Sequence, residues 1–229
     1  MAALLEAVGL TKIYQEGKTA VEAVKDVTVS VAPAEMVAIM GPSGSGKTTL
    51  LSMMGCILRA TQGRLVIQGQ EVSGLSERHL PRVRLKSIGF IFQSFNLFAS
   101  LTALENLLVV AQLKGGRGRT ARGEAEQLLV QVGLQDRMHF LPRDLSGGQK
   151  QRVSIARALV GTPPLILADE PTGNLDSRTG HDIIKMLHDL AHERQCGVVI
   201  VTHDARIAEL MDRVLHLEDG VLTNGEKRE

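Results

Sequence analysis

Residues 36–48 read MVAIMGPSGSGKT, an apolar run, a glycine-rich loop and a Lys-Thr pair, and TTLLSMMGCIL continues from Thr48 as a helix-compatible stretch. Gly41 to Thr48 satisfies the spacing GxxxxGK[ST] in the context that gives it meaning, with a strand before and a helix after. Gly41, Gly44 and Gly46 let the backbone curl until its N–H groups surround one anion, and the helix start adds its positive end at the same place. Lys47 is placed to bridge the terminal phosphates of a nucleotide, and Thr48 to hold Mg²⁺. Pro42, Ser43, Ser45 and Thr49 complete the stretch expected to contact the phosphates. This much predicts nucleotide binding. Hydrolysis needs further groups.

Those groups are found at 165–170, LILADE, which carries two carboxylates to the C-terminal edge of a buried strand, where ligands sit in open α/β sheets. Asp169 is in the position of a residue that holds Mg²⁺, often through its water. Glu170 is placed to accept a proton from an attacking water or to orient it for in-line attack on a γ-phosphate. Adjacent carboxylates repel one another, so Mg²⁺ belongs to the expected site. At 145–160, LSGGQKQRVSIARALV sets Ser146, Gly147 and Gly148 at the head of a helix whose Val153, Ile155, Ala156 and Leu159 can pack inward. That is a second helix start suited to an anion. One nucleotide already has a phosphate loop, so a second points to a γ-phosphate enclosed from elsewhere.

The runs Met36 to Met40, Leu165 to Ala168 and Val198 to Val201 are continuously apolar, as parallel strands covered on both faces must be. Val27, Val29 and Val31 alternate with Thr28 and Ser30, and RLVIQGQEV at 64–72 reads as a short strand and turn, so the N-terminal part is expected to be antiparallel sheet. Ala125, Leu128, Leu129 and Val132 fall at helical spacing with Gly133 placed to end the helix, and KGGRGR at 114–119 reads as a solvated loop. The fold is therefore predicted as α/β: a parallel-sheet core over 1–93 and 161–229 with an antiparallel β part, and a helical lobe inserted at about 94–160.

Lys and Arg number 26 against 25 Asp and Glu, so no long-range field draws the protein to nucleic acid or an anionic bilayer. No apolar run approaches the roughly 18 residues of a spanning helix, and MAALLEAVGLTKIY lacks the pattern of a signal peptide, so a cytoplasmic protein is expected. Cys56 and Cys196 sit in no metal or redox spacing and read as reduced, packed thiols.

LSGGQ following GPSGSGKT, with Gln93 between them, ADEPTGNLD after them and His203 beyond, resembles the ATP-binding-cassette (ABC) ATPase family over nearly the whole chain. The resemblance implies a P-loop NTPase core, a single ABC ATPase domain over 1–229, and ATP with Mg²⁺ as cofactors. It also implies an ATP-dependent, head-to-tail homodimer. In it Lys47 of one subunit and Ser146, Gly147, Gly148 and Gln149 of the other enclose one ATP. Asp176 matches the loop that crosses between subunits beside Glu170, and His203 the histidine that contacts the γ-phosphate and senses its loss. Tyr14 matches the aromatic that stacks on adenine. Gln93 matches the glutamine that touches Mg²⁺ and the attacking water and moves with the membrane partner. Taken alone, a histidine after an apolar strand or the chain's one tyrosine would be ordinary packing.

Phe90, Phe92, Phe95 and Phe98, four of the five phenylalanines, crowd around Gln93. Phe90 and Phe92 read as one core-facing side of a strand. Phe95 and Phe98 are open between core and an exposed groove for a partner's helix. IGFIFQSFNLF, LTALENL and DEPTGNLDSRTG are similar to the branch of lipoprotein-release and macrolide-export ATPases, and GCILRATQG leans toward the cyanobacterial-type glycolipid exporters. That likeness implies a separate integral membrane permease, joined in some members by a periplasmic adaptor, and a place on the cytoplasmic face of the inner membrane. The cargo would be a lipid, a lipoprotein or a hydrophobic compound. The same chemistry serves a non-transport ATPase that regulates cell-wall enzymes through a membrane partner, and the sequence leaves that alternative open. A DNA-maintenance cassette would need a coiled coil or zinc module between Lys47 and Ser146, and a small-molecule kinase an acceptor site; neither fits. One departure from the family is Ala34, where a glycine usually precedes the glutamate.

Overall fold

The computed structural model describes residues 2–17 and 19–224. In chain order its elements are β1 (Leu5–Glu16), β2 (Thr19–Val31), β3 (Met36–Met40), α1 (Lys47–Met54), β4 (Gln62–Ile67), β5 (Gln70–Glu71), α2 (Leu80–Ser87) and β6 (Ile88–Ile91). There follow α3 (Ala103–Leu113), α4 (Gly118–Gln131), α5 (Gly147–Leu159), β7 (Leu165–Asp169), α6 (Ser177–Arg194), β8 (Gly197–Thr202), β9 (Arg213–Glu218) and β10 (Val221–Asn224).

Six strands form one sheet in the order β10-β9-β3-β8-β7-β6, parallel except for the β9–β10 hairpin. Its central strands are apolar throughout because both faces are covered. Met36, Ala38 and Met40 enter one apolar cluster with Ile166, Ala168, Val198 and Ile200, together with residues of α3 to α6. Val37 and Ile39 point the other way, with Leu165, Leu167, Val199 and Val201, into a second cluster shared with α1 and the antiparallel sheet β2-β1-β4-β5. The period of two thus survives inside an unbroken apolar run, each parity serving a different core. In β2 the alternation is outward: Val27, Val29 and Val31 are buried while Thr28 and Ser30 are exposed.

The helical stretch is made of α3, α4 and α5, whose Leu107, Leu128, Leu129, Val153 and Ile155 belong to the same cluster as the sheet. A capping box at Thr102 and Glu105 starts α3, and Gly133, at φ 73°, follows the end of α4. The 114–119 stretch differs from its sequence reading. Gly118 and Arg119 already belong to α4, and Lys114 is half-buried with its ammonium donating to Val160 O at 2.7 Å. Glycines and charge suggested a solvated tip, whereas the lysine stem lies along the protein and its head closes a carbonyl at the end of α5. Both cysteines are buried, and burial pushes the Cys56 thiol up to about 11, as packed thiols should behave.

Candidate functional site: a phosphate loop facing a clamped glutamate

The loop between β3 and α1 turns on two left-handed residues, Gly44 and Gly46, both glycine. Gly46 has φ 101°, and a Cβ there would lie 2.2 Å from Ala23 O on β2. A Cβ on Gly41 would lie 2.0 Å from Leu217 O on β9. Neighbouring strands therefore press directly on the loop backbone and hold its shape. Lys47, 7 % exposed, folds back so that its Nζ donates to Gly41 O and Pro42 O, both at 2.8 Å. The cation is thereby held at the centre of the curl.

Thr48 joins the loop to the end of β7 by donating from Oγ1 to Asp169 Oδ1 at 3.1 Å. Burial raises the Asp169 pKa, and the neighbouring Glu170 charge adds to this, while the Thr48 hydrogen bond and Lys47 oppose it. Glu170, one residue on, has φ 45°, a left-handed conformation that costs a non-glycine residue roughly 1–2 kcal/mol and that clusters at functional sites. Its N–H bonds to Val201 O at 2.9 Å. Its carboxylate accepts from Thr202 Oγ1 at 2.9 Å on one oxygen and pairs with His203 Nδ1 at 2.8 Å on the other. A carboxylate only accepts, so the proton is on Nδ1, which leaves Nε2 of the largely exposed imidazole free.

These groups open onto one cleft of about 720 Å³, lined by Ala23, Pro42, Ser43, Gly44, Gly46, Lys47, Thr48, Thr49, Gln93, Asp169, Glu170 and His203. Gln93 follows β6, and Asn174 donates to its carbonyl at 2.8 Å. Gly173 leaves room for its amide, because a Cβ there would lie 2.8 Å from Gln93 Nε2.

The remaining sequence candidates lie outside the cleft. Tyr14, on β1, is 38 % exposed, with the Lys12 ammonium 5.2 Å from its ring centre. Gly41 and Ser45 stand behind the loop, Ser45 buried and Gly41 holding Lys47. Ser146 caps α5 in a reciprocal box: its Oγ accepts the Gln149 N–H at 3.3 Å, and Gln149 Oε1 accepts the Ser146 N–H at 2.9 Å. Gly147 and Gly148 occupy the first two helical positions, whose N–H groups have no intrahelical acceptor. Asp176 caps α6 by accepting from Thr179 N at 3.0 Å, and that contact holds its carboxyl below the usual range.

A phosphate loop, a clamped glutamate and a second glycine-led helix start in one α/β fold coincide with a direct family match, the ABC transporter family over residues 24–173. The chain belongs to the ABC transporter family. It is an ATPase cassette of that family, with ATP as its nucleotide. It is 45 % identical over 228 residues to an uncharacterized ABC transporter ATP-binding protein of Thermotoga maritima, covering all of this chain and 97 % of that one. A lipoprotein-releasing system ATP-binding protein, LolD 2 of Rhodospirillum rubrum, is 46 % identical over 220 residues, 96 % of this chain and 95 % of its own length. The macrolide export ATP-binding/permease protein MacB of a Shewanella species is 41 % identical over 99 % of this chain, which spans only 35 % of that longer protein. Among solved structures, the ATP-binding cassette MJ0796, a dimer in a post-hydrolysis state bound to ADP and Pi, superimposes with a TM-score of 0.89. The two are 40 % identical, with 97 % of this chain and 98 % of that one covered.

Mg²⁺ fits the donors the cassette offers. Among the described residues no three His, Cys, Asp or Glu side chains gather into a metal site of their own. Mg²⁺ needs no such cage, since it takes one or two hard oxygens from protein, several waters, and the substrate's phosphates. Thr48 Oγ1, the Asp169 carboxylate and the Gln93 amide oxygen are hard donors, and the half-buried Asp169 beside Glu170 gains from a cation.

Two features of the site escaped sequence reasoning. Ala23 lines the cleft only because β2 passes across Gly46, a tertiary contact without a motif. Thr202 comes directly after the apolar run Val198 to Val201 and is not singled out by the sequence, yet it ends β8 and its hydroxyl holds Glu170. The phenylalanines also need correction. β6 ends at Ile91, so Phe92 leaves the core and stacks on Phe90 at 5.6 Å between ring centres. Phe90 packs against the core as the sequence predicts, but both rings are partly exposed, and with Phe98, Val109 and Leu113 they line a groove of about 290 Å³. Phe98 and Leu113 are 52 % and 64 % exposed on it. Phe95 turns away at φ 62°, its carbonyl held by Arg157 Nη2 at 2.9 Å.

Proposed function

We propose that this cassette is the ATP-hydrolysing subunit of an exporter, working as a head-to-tail pair beneath a separate membrane permease that moves a lipid, a lipoprotein or a hydrophobic compound. The observation that carries the reading is the Glu170 carboxylate, fixed on both oxygens in a cleft that the Lys47 loop also lines. The whole chain acts as one ATPase domain, with residues of about 94–160 as its helical part.

In this reading the loop amides and Lys47 cradle the β- and γ-phosphates, and Tyr14 stacks on adenine. Glu170 takes the proton of the attacking water, His203 presents Nε2 to the γ-phosphate, and Gln93 orients the water. Thr48, Asp169 and Gln93 hold Mg²⁺, which when bound neutralises phosphate charge and fixes the phosphates for in-line attack. The start of α5 in a second copy, Ser146 to Gln149, closes on the γ-phosphate from the opposite side, with Asp176 crossing between subunits. Hydrolysis removes the link that joins the two copies, and the permease is levered between two states.

The lipoprotein-releasing and macrolide-export relatives support the exporter half of the proposal, as does the exposed aromatic groove beside Gln93, which suits a helix of the permease. Among the described residues no helix is long and apolar enough to cross a membrane. The proposal places the cassette at the inner face of the bilayer, against its permease. The test is to express tagged Glu170→Gln in its native cell and identify what co-purifies from detergent-solubilised membranes with ATP and Mg²⁺. A permease with a large outer domain is expected. Recovery of no membrane protein would refute the reading, and a division protein coupled to cell-wall hydrolases would replace transport with regulation.

A further inference from the structure

The turn after β8 contains more than its histidine. Thr202 is fully buried, and a buried hydroxyl is stable only when its hydrogen-bonding groups are satisfied. Its Oγ1 accepts the Asp204 N–H at 3.0 Å and lies 2.9 Å from Glu170 Oε2. A hydroxyl has a single proton, and an ionised carboxylate can only accept, so that proton is directed at Glu170. Thr202 fixes one carboxylate oxygen while His203 fixes the other. The two anchors differ in kind. The His203 side chain is 66 % exposed, whereas Thr202 is enclosed and its hydroxyl is also held by the Asp204 N–H.

Asp204 is itself clamped. Arg206 places Nε and Nη2 on its two oxygens at 2.7 and 2.8 Å, and the Arg206 N–H adds a third contact at 3.1 Å. Those contacts hold the Asp204 carboxyl below the usual range. The remaining guanidinium nitrogen, Nη1, donates to Ser177 Oγ, on the residue directly after Asp176. A continuous set of hydrogen bonds therefore runs from the first residue of α6 through Arg206, Asp204 and Thr202 to Glu170.

We propose that Thr202 is the positioning residue that aims the Glu170 carboxylate at the attacking water, and that the Asp204–Arg206 pair ties this aim to the Asp176 loop. In the proposed pair that loop crosses between subunits, so the direction of the base is tied to the element a second copy touches. The proposal rests on Glu170 being the base. Thr202 acts through Glu170 and not on the nucleotide, so its loss lowers turnover and leaves nucleotide affinity alone.

The experiment compares steady-state ATPase kinetics of Thr202→Val, Thr202→Ser and Arg206→Ala with wild type and with Glu170→Gln, each checked by thermal unfolding and nucleotide binding. Thr202→Val keeps the shape but leaves a carboxylate oxygen and an amide without a partner. Its kcat is expected to fall about tenfold or more with KM for ATP within about twofold. Thr202→Ser is expected to recover kcat to within about threefold of wild type. Arg206→Ala is expected to lose less turnover than Thr202→Val but to flatten the cooperative dependence on ATP. If Thr202→Val turns over at the wild-type rate while Glu170→Gln is inactive, the positioning role is overturned and the base stands. If Glu170→Gln itself keeps turnover, the reading beneath the proposal fails instead. If Thr202→Ser is as slow as Thr202→Val at an unchanged unfolding temperature, the hydroxyl is not the operative group. Unchanged kcat and cooperativity in Arg206→Ala would overturn the link to the loop. Should Thr202→Val not fold, Thr202→Ala takes its place under the same kcat and KM expectations, and wild-type turnover in it overturns the positioning role.

Discussion

Ser146 has two jobs in this account, and one substitution separates them. Its side chain caps α5, and the same helix start is to face the γ-phosphate held by a second copy. Removing the cap in Ser146→Ala costs about 1 kcal/mol, which for a domain of this size lowers the unfolding temperature by about 2–4 °C. Aspartate caps as well as serine does, and its charge at a helix N-terminus adds about 0.3–1 kcal/mol, so Ser146→Asp should unfold at or above the wild-type temperature. Its effect on dimerisation should be opposite. A carboxylate placed ~4 Å from a phosphate charge costs about 4 kcal/mol at an effective dielectric of 20, roughly a thousandfold in affinity for each ATP enclosed. The assay is thermal unfolding without nucleotide, paired with analytical ultracentrifugation with ATP and Mg²⁺ in a Glu170→Gln background that slows hydrolysis. A stable Ser146→Asp protein that no longer pairs is expected. If it pairs like its parent, the helix start does not face the phosphate; if Ser146→Ala unfolds at the wild-type temperature, the cap contributes nothing.

Three further outcomes follow from single residues. Ala34 sits at φ 58° after Pro33 in the turn closed by Glu35 N–H on Ala32 O, so Ala34→Gly removes about 1–2 kcal/mol of strain against about 0.4–1 kcal/mol of added unfolded-state entropy. The net gain of about 0–1.6 kcal/mol should raise the unfolding temperature by up to about 5 °C, and a fall would refute the strain. The raised Asp169 pKa means that the folded state holds a proton more tightly than the unfolded chain, so the penalty on its ionised form is absent at low pH and complete above the raised value. Asp169→Asn should therefore stabilise the nucleotide-free protein at pH 7, with the gain shrinking toward about pH 4, and should slow ATP hydrolysis; destabilisation at pH 7 would contradict this. Phe98→Ser removes an exposed ring whose backbone N–H stays bound to Asn106 Oδ1, so the unfolding temperature should hold within about 2 °C while the co-purifying membrane partner is lost. Retention of that partner would exclude the groove.

The parallel core was legible because strands covered on both faces must be apolar at every position, as Val198 to Val201 and Leu165 to Ala168 are. The loop was legible because strands press on Gly41 and Gly46 and leave no room for a Cβ. Asp169 and Glu170 were legible as charges at the end of such a strand. Thr202 was not, because a threonine after four aliphatic residues carries the same local signal whether or not its hydroxyl has a task. Phe92 was misread because alternation cannot say where a strand stops, and pairing with β7 ends at Ile91. Lys114 was misread because composition describes the loop it begins and not the carbonyl its ammonium reaches. Ala34 was noted only as a departure, and its positive φ shows the backbone keeping the shape that glycine would have made easy.

The most direct test of the central claim is ATP turnover by Glu170→Gln beside its affinity for ATP. The substitution keeps size and shape and removes the proton acceptor, so turnover is predicted to fall by about 10²- to 10⁴-fold while ATP binding stays at the wild-type level. Turnover at the wild-type rate would contradict the assignment of Glu170 as the base on which this account is built.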